Sequence, residues 1–112
     1  MDLSFASNKL ERQLSGAKSM QKAFGDRTKR IQMRLDLLKS APCLADIPNV
    51  PPPRRHELGG DWAGHFAVDV TGNWRLIFKP SHDQVPRLAD GGVDLTKVTA
   101  VEIVDINDYH GA

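Results

Sequence analysis

The sequence has a single cysteine, no long apolar run and almost no net charge, and each absence excludes a class of protein. Cys43 alone can form neither an internal disulfide nor a four-cysteine zinc site, which favours a reducing compartment. No apolar stretch approaches the roughly 20 residues that cross a bilayer. Met1 to Leu10 has no basic segment followed by an apolar one. We therefore expect a cytoplasmic protein with no membrane segment.

Common catalytic motifs are missing as well. None of the histidines forms an i, i+4 pair of the kind that binds a metal ion on a helix. Gly59-Gly60 and Gly91-Gly92 lack the lysine and the following helix of a phosphate-binding loop, and no serine lies in a nucleophile elbow. We expect neither a metal ion nor a cofactor.

The chain is long enough for one domain, and its charge is unevenly distributed. Its 112 residues, 40% hydrophobic and 26% charged, have the composition of a single globular domain spanning residues 1–112. Residues 1–40 hold nine Lys and Arg against four Asp and Glu, whereas residues 81–112 hold two against six. A basic first third suits a surface that meets a polyanion, although the same residues could simply solvate helix surfaces.

Hydrophobic spacing predicts an α+β fold. Leu3 to Ala6 alternates as a short strand, and apolar residues then recur at helical spacing over residues 9–24 and again over residues 26–41. A proline-rich connector runs from Ala41 to Pro53. The period then changes to two, which predicts antiparallel strands at 54–58, 66–70 and 74–78, a long loop at 80–95 and a last strand at 98–104.

Polar side chains on the predicted sheet suit RNA cleavage without a metal. Such cleavage needs a base for the 2′-hydroxyl proton, a cation for the phosphorane charge and an acid for the leaving 5′-oxygen. His56 or His110 could serve as base or acid, Arg75 as the cation, and Tyr109 as a stacking surface or proton donor.

Structural roles are open for the same residues. His56 could bond to a backbone group, and Arg75 could pair with Asp69 across the hairpin turn. Tyr109 could close the edge of the core, and His110 could belong to a frayed terminus. Composition and spacing alone do not choose between these roles and the catalytic ones.

Five short motifs occur in the order and spacing of a known family. They are Arg55-His56-Glu57-Leu58, Gly60-Asp61, Gly64 to Val68, Asn73 to Phe78 and Asp108-Tyr109-His110. Over essentially its whole length the chain resembles the RelE/ParE superfamily of bacterial type II toxins, most closely the HigB-like branch. The resemblance implies two N-terminal helices packed on a twisted antiparallel sheet. It also implies a ribosome-dependent endoribonuclease that cuts translated mRNA.

The resemblance further implies partners and a set of site residues. The partner is a neutralising helix-turn-helix antitoxin similar to HigA, and the pair binds its own operator DNA. The catalytic positions that correspond to the family's are His56, Arg75, Asp108, Tyr109 and His110. Cations of the helices and of the sheet would meet ribosomal RNA and mRNA: Lys18, Lys22, Lys29, Arg30, Arg34, Arg54, Arg55 and Lys79.

Two other functions are compatible with the same resemblance. The superfamily includes gyrase poisons of the same fold, which cut no RNA, and fold does not determine function. The chain could also be an inactive member that persists as an antitoxin-bound corepressor. The Asp108-Tyr109-His110 motif favours the nuclease.

Overall fold

The fold is mixed helix and sheet, as predicted, in a computed structural model that describes residues 1–108. The helices and strands follow the chain in the order β1 (Asp2–Phe5), α1 (Asn8–Gln13), α2 (Ala17–Phe24), α3 (Thr28–Ser40), β2 (His56–Glu57), β3 (Phe66–Thr71), β4 (Trp74–Pro80) and β5 (Ala100–Asp108). None of the helices in this described part is long and apolar enough to cross a membrane.

The helix predicted over residues 9–24 is interrupted, so that prediction is wrong in one respect. Gly16 has extended backbone (φ −177°) and is the N-cap of α2, and the Ser15 hydroxyl donates to the carbonyl of Arg12 at 2.8 Å. Glycine is a poor helix former, and a serine that bonds to the backbone competes with helical hydrogen bonds. α1 begins one residue earlier than expected, because the Ser7 hydroxyl accepts from the Leu10 amide at 3.1 Å.

The next helix begins later than the sequence indicates. Residues 25–27 form a single 3₁₀ turn, and α3 starts at Thr28 without a side-chain cap, so Asp26 does not cap it. α3 ends at Ser40, before Pro42, as predicted. The helical region therefore consists of three segments, of which α3 is the longest.

The five strands form one sheet in the order β1-β5-β4-β3-β2. The strands β2, β3 and β4 are consecutive and antiparallel, which confirms the prediction for this region. β1 joins the far edge in parallel with β5. β5 begins at Ala100 and ends at Asp108, so both bounds are later than the predicted 98–104. Its end is later because it pairs with β4 as far as Trp74, which lies opposite Asp108.

The helices cover one face of the sheet, which we call the inner face. Apolar residues of the three helices form one cluster with inward residues of the strands, including Val68, Leu76 and Ile103. Ala67 and Ile77 are also fully buried, but they lie outside that cluster. Since side chains alternate along a strand, these two residues belong to the opposite, outer face.

A β-bulge in β5 changes which residues face outward. Ile77 lies opposite Asp105 and Phe78 opposite Ile103, so Val104 is the extra residue. Beyond the bulge, Asp105 and Asn107 share the outer face with alternate residues of β4. The bulge thus brings two polar side chains of β5 onto the outer face near its centre.

Candidate active site

Strand register arranges polar residues of the outer face in two neighbouring rows. In the first, the arginine row, Asp69 of β3 lies opposite Arg75 of β4, and Arg75 lies opposite Asn107 of β5. Arg54, just before β2, extends this row by an ion pair with Asp69. The second, the histidine row, crosses β2 to β5 and consists of His56, Ala67, Ile77 and Asp105.

Asp69 is bonded from several directions. Its carboxylate accepts from Arg54 Nε at 2.6 Å and from Arg54 Nη2 at 3.0 Å, a two-point contact. Its backbone amide donates to the carbonyl of Pro53 at 2.7 Å. Asp69 thus forms a bidentate pair with Arg54, an ion pair that the sequence did not indicate.

Arg34 of α3 supports Asp69 from the helical side. Its Nε donates to the Asp69 carbonyl at 2.6 Å, and the residue is only 5% exposed. Burial lowers the pKa of the Arg34 guanidinium, Arg30 lowers it further, and Asp69 opposes both effects. The predicted RNA-binding residue Arg34 therefore lies inside the fold, where it braces β3.

The His56 ring has a defined orientation. Its Nδ1 is 2.7 Å from the carbonyl oxygen of Arg54. Because a carbonyl oxygen can only accept, a neutral ring in this contact carries its hydrogen on Nδ1 and leaves Nε2 as the acceptor. The backbone contact that the sequence left open is present, and it gives His56 the tautomer that a general base needs.

His56 and Arg75 lie on the same face but not in the same row. Their strands are separated by β3, and their positions along the sheet differ by two residues, so their Cα atoms are about 12 Å apart. A long guanidinium and an imidazole at that separation can reach opposite sides of one phosphodiester. The structure thus brings these two predicted residues to one surface.

The predicted residues at the end of β5 are placed differently. Asp108 lies opposite Trp74, one residue out of phase with Arg75, so its Cβ points toward the inner face. Tyr109 and His110 lie outside the residues that the structure describes.

Besides Arg34 and Arg54, two more of the predicted RNA-binding cations have structural contacts. Arg55 Nε donates to the carbonyl of Ile47 at 2.9 Å, which fastens the connector to the start of β2. Lys79 pairs with Glu102 across β4 and β5 at 3.5 Å, and its side chain is 47% exposed. Lys79 also borders a cleft of about 440 Å³ that the following loop walls with His82.

The remaining predicted cations are on the helices and face solvent. Lys18 and Lys22 on α2 and Lys29 and Arg30 on α3 are all exposed. Lys22 lines a shallow cleft of about 330 Å³ between α1 and α2, together with Arg12. These residues form an accessible basic surface that is separate from the outer face of the sheet.

The sequence did not identify three polar residues on the outer face of the sheet, namely Asp69, Asp105 and Asn107. Asp69 was considered only as a structural partner, and Asp105 and Asn107 were not singled out. Asn107 Nδ2 donates to Asp105 at 2.9 Å, and the buried Asn107 Oδ1 accepts no hydrogen bond from residues 1–108. Alternation in β3 and β5 signals that they are on a polar face, but not which partners they take.

The described residues contain no group of three or more His, Cys, Asp or Glu side chains that could hold a metal ion. The chemistry of the two rows is that of guanidinium, imidazole, carboxylate and amide groups. Such groups can bind a phosphate and transfer protons.

Solved structures show what this chain is similar to, whereas no family model and no curated protein sequence matches it. A mutant of YafQ from E. coli has a TM-score of 0.58 and 18% identity, covering 96% of this chain and 92% of YafQ. A YoeB/ParE toxin from Agrobacterium tumefaciens has a TM-score of 0.58 and 14% identity, covering 98% of this chain and all of the toxin. YafQ from E. coli strain BL21(DE3) has a TM-score of 0.54 with 18% identity over 96% of this chain and 92% of that one.

These likenesses extend over nearly the whole chain and include both helices and sheet. The fold is therefore that of the RelE/ParE-type toxins, which confirms the fold predicted from the sequence motifs. The closer resemblance to the HigB-like branch stays a prediction.

Proposed function

We propose that this protein is the toxin of a bacterial type II toxin–antitoxin system and cuts mRNA on the ribosome. The observation that carries the proposal is the shared outer face of His56 and Arg75, with the His56 ring held so that Nε2 can accept a proton. The likeness to a YoeB/ParE toxin over the whole chain supports the toxin role.

The proposed reaction needs no group beyond side chains and RNA. His56 Nε2 takes the proton of a 2′-hydroxyl, the 2′-oxygen bonds to phosphorus, and the bond from phosphorus to the 5′-oxygen breaks. Arg75 stabilises the charge that develops on the phosphorane oxygens. The leaving 5′-oxygen takes a proton from an acid, for which we propose His110, with Tyr109 stacking on a base. The products are a 2′,3′-cyclic phosphate and a 5′-hydroxyl.

The basic helical surface gives this proposal its ribosomal contact. Lys18, Lys22, Lys29 and Arg30 are exposed and can neutralise rRNA phosphates while the outer face meets mRNA. We propose Arg54 and Lys79 as further members of the RNA-facing region. The expected partner is a HigA-like helix-turn-helix antitoxin that represses its operator together with the toxin, in the cytoplasm.

Primer extension on cellular mRNA after a short pulse of expression tests the proposal. The native chain should arrest growth and create new 5′ ends within translated codons. Single His56→Ala, Arg75→Ala and His110→Ala variants should lose both effects while remaining folded. Lys97→Ala is the matched control, because Lys97 is exposed in the loop before β5. Full toxicity of all three site variants would contradict the proposed site.

A gyrase poison is the second candidate, favoured by the name ParE in one of the similar structures. It predicts double-strand DNA breaks during the same pulse and no new transcript ends. Growth arrest with DNA breaks alone would replace the nuclease proposal. Harmless expression, with operator binding retained in the antitoxin complex, would instead indicate an inactive corepressor.

A further inference from the structure

We propose that Asp69 is a positioning residue for the cleavage, and that it acts through Arg54 on the tautomer of His56. This inference rests on the proposed function, since it names the residue that sets the geometry of the proposed base.

The first step is the set of hydrogen bonds that Asp69 makes. Its amide, carbonyl and carboxylate are bonded to Pro53, Arg34 and Arg54 at distances between 2.6 and 3.0 Å. The contact with Arg34 is partly buried, and a hydrogen bond from a charged donor is stronger than one between neutral groups. Asp69 is thus a fixed anchor at the junction of α3, β3 and the connector.

The second step is the backbone of Arg54. Its φ is +47°, in the left-handed region that residues other than glycine rarely adopt, at a cost of about 1 to 3 kcal/mol. The two-point bond to Asp69 holds the guanidinium of this residue in one place. The ion pair therefore helps to keep Arg54 in a conformation that its own backbone disfavours.

The third step is the direction of the Arg54 carbonyl. That carbonyl is the acceptor for His56 Nδ1, at 2.7 Å. The peptide group of this carbonyl is also held by the Arg55 amide, which donates to the Pro48 carbonyl at 2.9 Å. Because the backbone angles of Arg54 determine where its carbonyl points, we expect a change in the pair with Asp69 to shift the acceptor of the ring. Loss of the acceptor removes the preference for hydrogen on Nδ1 and lets the ring expose a protonated Nε2, which cannot act as a base.

The position of Asp69 opposite Arg75 adds a second constraint. Directly opposed residues of antiparallel strands have Cβ atoms about 5 Å apart, within reach of a carboxylate and a guanidinium. Arg54 binds both carboxylate oxygens of Asp69. We therefore expect a change at Asp69 to affect the position of Arg75 as well as that of Arg54.

The test compares Asp69→Asn with Asp61→Asn, an exposed carboxylate in the turn before β3. In single-turnover cleavage of mRNA on programmed ribosomes, Asp69→Asn should slow the cleavage step by about tenfold to a hundredfold, as expected for a misplaced reacting group. Ribosome affinity should change less than twofold, and Asp61→Asn should behave like the native chain. Cleavage by Asp69→Asn at the native rate would overturn the proposal.

Imidazole nitrogen NMR provides a readout that needs no ribosome. Protein with ¹⁵N-labelled histidine should show the His56 ring with hydrogen on Nδ1, its signal assigned by loss in His56→Gln. Asp69→Asn and Arg54→Gln should each shift the ring toward hydrogen on Nε2. An unchanged tautomer in both variants would overturn the proposal even if cleavage is slower. Native protein that shows this tautomer dependence without cutting RNA would refute the proposed function but retain the positioning role.

A double-mutant cycle covers the case in which Asp69→Asn weakens the fold. If Asp69 acts through Arg54, the combined Arg54→Gln and Asp69→Asn variant should be no slower than the slower single variant. Losses that multiply would mean two independent roles and would contradict the proposal. The rates are compared at a temperature where circular dichroism shows all three variants folded.

Discussion

Arg27 lies over the ring of Trp74, with its Cζ 3.9 Å from the ring centroid. The contact joins the turn between α2 and α3 to the first residue of β4, immediately before Arg75. A guanidinium over an indole face is attracted by the negative electrostatic potential of that face. The helical layer is thus fastened to the strand that carries the proposed phosphate-binding residue.

Removal of this contact should reduce stability modestly. Arg27→Ala is expected to lower the free energy of unfolding by about 0.5 to 1 kcal/mol, the usual range for a partly exposed cation–π pair. Lys29→Ala is the control, because Lys29 is an exposed cation two residues further along. Urea denaturation followed by tryptophan fluorescence measures both. Equal stability of the two variants would contradict this reading of the contact.

Ile77 is the apolar centre of the outer face and should tolerate only small changes. The side chain is completely buried, and its neighbours in the histidine row are Ala67 and Asp105. Ile77→Val should cost about 0.5 to 1.5 kcal/mol, and Ile77→Ala about 2 to 5 kcal/mol. Val50→Ala serves as control, since Val50 is 59% exposed. The midpoints of urea unfolding rank the three variants.

Arg34 should matter for stability rather than for RNA binding. Arg34→Met keeps a long side chain but leaves the Asp69 carbonyl without its donor, at a cost of about 1 to 3 kcal/mol. Arg30→Ala, on the exposed side of the same helix, should change stability by less than about 0.5 kcal/mol. Thermal unfolding distinguishes them. A stable Arg34→Met variant that has lost ribosome affinity would restore the original RNA-binding prediction.

The exposed helical cations should set the salt dependence of ribosome binding. Lys18→Gln and Lys22→Gln should each weaken affinity and reduce the slope of log K against log salt by about 0.7 to 0.9, the value for one phosphate contact. Lys97→Gln should leave the slope unchanged, since it lies in the loop before β5. Filter binding to purified ribosomes at several salt concentrations gives the slopes. Unchanged slopes for both α2 variants would exclude α2 from the interface.

The sequence predicted the fold class and the hairpin of β3 and β4, because period-2 alternation is strong there. It could not reveal the break between α1 and α2. Leu10, Leu14 and Met20 keep helical spacing on both sides of Gly16, so the periodicity runs through the interruption. The start of β5 was also misplaced, because pairing with β4 determines where that strand runs.

The candidate site could be predicted only by residue type. His56 and Arg75 were predicted because an imidazole can transfer protons and a guanidinium can bind a phosphate. Both residues lie on the outer face. The ion pair between Asp69 and Arg54 could not be predicted. Arg54 has a left-handed backbone conformation, and an arginine in a sequence does not indicate such a conformation. Arg34 illustrates the same limit, since its burial results from the packing of α3 on β3.

The parallel pairing of β1 with β5 has a consequence for the order of assembly during synthesis. Asp2 and Phe5 lie opposite Ala100 and Ile103, so the edge of the sheet joins segments nearly a full chain apart. Such distant contacts form late, after the intervening polypeptide has emerged from the exit tunnel. A nascent copy therefore cannot complete this edge of its sheet until residues 100–108 have emerged from the ribosome.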